Sequence, residues 1–294
     1  MRKIFVFLLF IITCTVFADK ITVDGIERTY ILHIPESVSS PAPLVFVLHG
    51  GGGTGKRMNK LTKFNKVSNE NGFIVCYPEG IDKHWNDGRK VNKSFKNGVE
   101  VDDVKFISLL IDTLESKYDI DSIRIYACGI SNGGMMSFRL GCELNDKIAA
   151  IAPVAISMSE FLYNSCIPGK PVPLMYMFGN EDPLVPYEGG SIRFSRGEVV
   201  SVQNTLGLWV RNNHCNETPF ITTIDSEDDD TYVKKFTFTG ATERNEVVFY
   251  LIYGGGHTWP GGRQYLPKLL VGRTSEEFNA SEEIWKWFEG KKLD

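Results

Sequence analysis

Strand-like and helix-like patterns alternate along most of the chain. "LVFVLH" (44–49) is apolar up to its final histidine, as a strand buried on both faces must be. "FIVCYP" (73–78), "IRIYACG" (123–129), "IAAIAPVA" (148–155), "PLMYMFG" (173–179) and "VVFYLIYGGG" (247–256) repeat that pattern. Between them "VDDVKFISLLIDTLESKY" (101–118) and "NGGMMSFRLGCEL" (132–144), and after them "ASEEIWKWFEG" (280–290), space their apolar residues as helices do. Asp102 and Asp103 are read as N-caps of the first of these helices. Strands alternating with helices predict an α/β protein with a mostly parallel central sheet and helices on both faces. "RTYILHI" (28–34) alternates and predicts an early antiparallel strand. "FITTIDSEDDDTYVKKFTF" (220–238) predicts a hairpin with a solvated acidic tip, and it lacks the spacing of a calcium loop. With no repeat and no Pro/Ser-rich linker, one domain is expected over 19–294.

The start of the chain breaks the pattern. "MRKIFVFLLFIITCTVFADK" has a basic start, an apolar run over 4–12 and a small-residue site ending at Ala18. This reads as a signal peptide over 1–18, cleaved after Ala18, and predicts a secreted or periplasmic protein. The run is shorter than the ~20 apolar residues of a membrane span. A net charge of −4 offers no footing for nucleic acid or an anionic membrane surface.

The chemistry-bearing stretches come next. "HGGGGTGKR" (49–57) fits three patterns. As a phosphate loop it fails at Arg57, which stands where Ser or Thr would hold magnesium. As a dinucleotide fingerprint it has the spacing, with Glu79 near the position of a ribose-binding acid, but it suits an exported protein poorly. As an oxyanion loop its glycines let backbone N–H groups approach a developing negative charge.

"CGISNGG" (128–134) supplies the partner for that third reading. Gly129-Ile130-Ser131-Asn132-Gly133 is a G-x-S-x-G set between a strand and a helix, the setting in which a serine hydroxyl stands exposed on a tight turn. A serine needs a base. Among the 5 histidines, His257 follows the last strand in a glycine-rich loop, and His84 also lies in a loop. His33 lies mid-strand, His49 ends a strand and shapes the loop beneath the site, and His214 follows a helix. The order Ser…acid…His points to "GNEDPLVPY", with Asp182 preferred to Glu181 because Pro183 fixes the turn. The expected site is Ser131, Asp182 and His257, with the oxyanion held by the N–H groups of Asn132 and of Gly51 or Gly52. Trp85 and Trp259 are the candidate substrate-stacking residues. No metal-ligand spacing such as H-E-x-x-H appears, and neither a metal nor a cofactor is expected.

Together, "LVFVLHGGGG", "WNDGR", "VDDVKFI", "IYACGISNGGMMSFRLGCE", "GNEDPLVPYEGG" and "GGGHTWPGG" give a chain that resembles the polyhydroxybutyrate depolymerase-like esterases. That α/β-hydrolase group includes feruloyl and acetylxylan esterases. The resemblance covers nearly the whole chain after the leader. It implies an α/β-hydrolase fold, a serine esterase, and a partner that is a small or oligomeric ester of a hydroxy acid, a hydroxycinnamate or an acetylated sugar. A serine peptidase of the prolyl-oligopeptidase type is the competing reading; that class usually carries a gating domain for which the chain shows no room. In this fold the strands ending in Cys76 and Cys128 flank the 44–49 strand on opposite sides, ~9.6 Å apart, which is beyond the ~7 Å reach of a disulfide. Both are expected free and buried, leaving a bridge between two of Cys142, Cys166 and Cys215.

Overall fold

The computed structural model describes residues 18–89, 95–96 and 99–294. The expected leader lies outside them apart from Ala18. A 10-stranded sheet forms the centre. Its strands are β1 (Asp19–Val23), β2 (Ile26–His33), β3 (Ala42–Leu48), β4 (Ile74–Pro78), β5 (Ile120–Ile130), β6 (Ala150–Val154), β7 (Leu174–Gly179), β8 (Phe220–Ile224), β9 (Tyr232–Phe238) and β10 (Val247–Tyr253). Across the sheet they run β1-β2-β4-β3-β5-β6-β7-β10-β9-β8. The stretch from β4 to β10 is parallel. Antiparallel strands finish both edges.

The helices are α1 (Gly55–Thr62), α2 (Phe64–Asn71), α3 (Asp103–Lys117), α4 (Asn132–Glu143), α5 (Glu160–Ser165), α6 (Val202–Asn212), α7 (Lys268–Val271) and α8 (Ala280–Phe288). β3 shows how the two faces arise. Leu44, Phe46 and Leu48 join a core with Leu110 of α3, Phe138 of α4 and Trp209 of α6. Val45 and Val47 point the other way, into a core with Met58 of α1, Phe64 of α2 and Trp285 of α8. The two-residue period of a strand feeds both layers, so every residue of β3 is apolar and buried.

Several expectations are sharpened. Asp102 alone caps α3, accepting from the Lys105 N–H at 2.8 Å. Asp103 is not a cap: it is buried, takes the Arg28 guanidinium at 2.5 Å and accepts the Asn86 N–H at 2.6 Å. A carboxylate facing inward from the first turn meets a buried cation before it meets its own helix. The hairpin of β8 and β9 forms, and most of its acidic tip is exposed. Asp229 is the exception, half-buried and accepting the Glu276 N–H at 2.6 Å, while the exposed Asp230 pairs with Arg273. Cys142 on α4 is bonded to Cys166 at the end of α5. Cys76 and Cys128 are free, buried, and paired to opposite sides of β3 through Phe46 and Val47. Cys215 is also free.

Candidate active site

The carboxyl ends of the parallel strands carry the site, where open α/β sheets bind ligands. β5 passes into α4 through Ser131, at φ 56° and ψ −122°. A non-glycine residue held there costs on the order of 1–3 kcal/mol. The surroundings enforce it. Ser131 N–H donates to Val154 O at 2.9 Å, and Ser131 O accepts from Met135 N–H at 2.9 Å. The glycines on either side are dictated by close approach. A Cβ on Gly129 would lie 2.6 Å from Leu48 O, and one on Gly133 would overlap the same oxygen.

β7 ends in the turn that carries Asp182. One carboxylate oxygen accepts the Leu184 and Val185 N–H groups at 2.8 and 2.9 Å, which fixes its direction. The other receives His257 Nδ1 at 2.7 Å. Both side chains are almost wholly buried. His257 follows β10, and its main chain is gripped on both sides. Its N–H donates to Val271 O at 2.6 Å, and its carbonyl accepts the Tyr265 hydroxyl at 3.0 Å. Ser131 and His257 line one cleft of about 670 Å3. Glu181 is exposed and its N–H serves the turn, donating to Gly255 O at 3.0 Å.

The loop after β3 lies beside the serine. A Cβ on Gly50 would lie 3.6 Å from Ser131 Cβ, and one on Gly51 would lie 3.7 Å from Asn132 Cβ. Among the described residues the Gly51 and Asn132 N–H groups have no protein acceptor. His49 holds this loop from below. Gly80 N–H donates to its Nε2 at 3.0 Å, so Nε2 is bare and Nδ1–H donates to Gly50 O at 2.8 Å. Burial drives the His49 pKa down to about 4, a nearby His84 adding to the effect. Glu79 Oε2 stands 3.6 Å from Nε2 without forming an ion pair, since that nitrogen is already an acceptor. The Glu79 carboxylate instead receives the Gly55 N–H at 2.8 Å. That use of Glu79 removes the ribose-binding role its position suggested.

Asn132 is pinned as firmly. Its side chain accepts from Trp85 N–H at 2.8 Å, and donates to Trp85 O at 3.1 Å and to Asp87 at 2.5 Å. Asp87 in turn grips Arg89. The WNDGR motif is therefore a brace for the residue that follows the serine.

Trp85 and Trp259 are not substrate platforms. Both are fully buried, and neither lines the cleft. The Trp85 indole donates to His49 O at 2.9 Å, and that of Trp259 donates to Ser281 at 3.1 Å while its ring packs edge-on to Phe64. A large ring with one polar atom gains more from apolar packing plus one hydrogen bond than from exposure. The lining includes residues the sequence reading passed over: Arg193, Phe194 and Arg196 from the segment 190–199, and Tyr265, Leu266 and Leu270 from the stretch after His257. Turn glycines at 189, 190 and 197 around "SIRFSR" were the available signal for the first group. Among the described residues no cluster of metal-ligating side chains occurs.

This sheet, the strained serine at a strand–helix turn and the Asp–His pair at neighbouring strand ends define an α/β-hydrolase. The chain belongs to the phospholipase/carboxylesterase family, whose sequence model matches residues 31–196, and is a carboxylic ester hydrolase. NocK of Nocardia uniformis subsp. tsuyamanensis, named as an esterase, is 28% identical over 283 residues, covering 91% of this chain and 81% of that protein. Feruloyl esterase C of Emericella nidulans is 26% identical, covering 78% and 76%. Feruloyl esterase B of Piromyces equi is 30% identical over 60% of this chain, which spans only 34% of that relative. Among solved structures, an acetyl xylan esterase from Aspergillus awamori superposes with a TM-score of 0.61 at 15% identity, covering 92% of this chain and 98% of that one. At that identity the likeness speaks for the fold.

Proposed function

We propose that the protein is a secreted serine esterase that works through an acyl-enzyme on esters of short hydroxy acids, hydroxycinnamates or acetylated sugars. The observation that carries this reading is the Asp182–His257 hydrogen bond of 2.7 Å, with His257 and the strained Ser131 lining one cleft. With Nδ1–H given to Asp182, the imidazole keeps Nε2 free to take a proton. The Ser131 hydroxyl adds to the ester carbonyl while its proton passes to Nε2. The Gly51 and Asn132 N–H groups hold the oxyanion, and each such donor lowers the barrier by about 2.7–4 kcal/mol. Collapse expels the alcohol, which takes the proton from His257. Water then adds to the acyl-serine by the same route and releases the acid.

Secretion is part of the proposal. The leader-like pattern over 1–18 and the Cys142–Cys166 bridge both suit an oxidising compartment. Among the described residues no helix is long and apolar enough to cross a membrane. The acyl range follows from the relatives' names and from the motifs shared with the depolymerase-like esterases.

The test is active-site labelling followed by turnover. A fluorophosphonate is expected to label Ser131 alone, and acetyl, hydroxybutyryl and feruloyl esters are expected to be cleaved in preference to peptide amides. Label elsewhere overturns the site. Label on Ser131 with amide cleavage only makes the protein a peptidase.

A further inference from the structure

The cleft above Ser131 is ringed by cations. Arg57 and Lys60 come from α1, Arg193 and Arg196 from a small hairpin over 190–199, and Arg263 from the loop after His257. All are exposed. Among the described residues no aspartate or glutamate shares the lining, although the chain as a whole carries a net charge of −4. A cleft lined by one sign of charge between low-dielectric walls focuses the field on whatever enters it.

The hairpin is built to keep this arrangement. Ile192 and Val199 anchor it in the core. Arg89, held by Asp87, donates to Arg196 O at 2.7 Å. Phe194 and Ser195 sit at φ 66° and 52°, a turn that non-glycine residues adopt at a cost. The guanidinium carbons of Arg193 and Arg196 lie 5.1 and 5.5 Å from the Phe194 ring centre, within the ~6 Å range of cation–π attraction. Two guanidinium groups and an aromatic ring thus form one unit on the cleft wall. Tyr265, whose hydroxyl donates to His257 O at 3.0 Å, lines the same cleft.

We propose that this site selects esters that carry a carboxylate beyond the scissile ester, on the acyl arm or on the alcohol arm. The inference rests on the esterase reading above. A guanidinium fork matches a carboxylate in two hydrogen bonds, and the exposed Phe194 offers apolar surface to the uncharged part of the substrate. Cations on three separate segments suit charge placed along an extended substrate, such as uronate units or the free end of a hydroxy-acid oligomer.

Two matched pairs of esters separate the arms. 4-Nitrophenyl hydrogen adipate against its methyl ester puts the charge on the acyl side. 4-Acetoxybenzoate against 4-acetoxybenzamide puts it on the alcohol side. After correction for hydroxide reactivity, kcat/KM of the charged member should exceed that of its neutral partner by about tenfold in at least one pair at low salt. That advantage should shrink severalfold at ~0.5 M NaCl, where charges are screened within a few ångströms. Arg196→Gln and Arg193→Gln should each reduce it, and Arg196→Lys should retain part of it. A charged-to-neutral ratio of one or less in both pairs, with neutral esters still cleaved, overturns this proposal and leaves the esterase reading standing. Failure to cleave any of the four overturns the esterase reading.

Discussion

Asp182 and His257 show how much one side-chain pair can decide. The carboxylate is fixed by two backbone N–H groups before it meets the imidazole, so it sets one tautomer rather than following it. Asp182→Asn should keep the fold and lower kcat by about 10⁴-fold, because an amide can hold the wrong tautomer. Steady-state kinetics on an aryl acetate, beside a circular dichroism melt, check both halves. Ser131→Ala should cost more, about 10⁵–10⁶-fold in kcat. His49 gives a prediction in pH. Its folded pKa is lowered from 6.5 to about 4, so between those values the unfolded chain binds a proton that the folded one refuses. Stability is therefore full above pH ~6.5, falls through the window and levels off near pH 4, a loss of up to ~3 kcal/mol from this residue. Urea melts across pH 4–7 should show that slope, and His49→Gln should flatten it.

At the scale of elements, the site depends on joints rather than on single helices. α4 begins at the strained serine and is tied near its other end by the Cys142–Cys166 bridge to α5. The bridge spans 24 residues of sequence, and closing such a loop removes about 3 kcal/mol of unfolded-state entropy. Cys142→Ser/Cys166→Ser should lower the melting temperature by roughly 6–12 °C, read by calorimetry, and wild type should fall to the same point under reducing conditions. α1 and α2 went unseen in the sequence, and the reason lies in their composition. Only Met58, Phe64 and Val67 supply their large buried apolar contacts, too few to stand out as a periodic pattern. The long strands and α3 were legible because both the period and the length of their apolar runs were unambiguous.

At the scale of the molecule, the two cores do different jobs. The cleft opens at the carboxyl ends of the strands, while α8 closes one face of the sheet behind it. Trp285 of α8 stacks on Phe73 with ring centres 3.8 Å apart and is nearly buried. Trp285→Ala should cost about 3–5 kcal/mol of stability and leave kcat/KM of the folded enzyme within a factor of two or three of wild type. A urea melt and kinetics at a temperature well below the transition would separate those effects. The sequence by itself determined the alternating architecture, the serine at its turn, and the acid and histidine at later strand ends. Each of these is a local pattern, written by burial on two faces or by a turn that tolerates only certain residues. It also showed why Cys76 and Cys128 stay apart, once neighbouring strands were placed. Only the tertiary structure decided what lines the cleft. It turned Trp85 and Trp259 inward, made Asp103 a partner of Arg28, chose Cys166 for Cys142, and brought cations from three distant segments around one serine. Those outcomes depend on which surfaces meet after the sheet is assembled, and contacts between residues far apart in the chain leave no period to read.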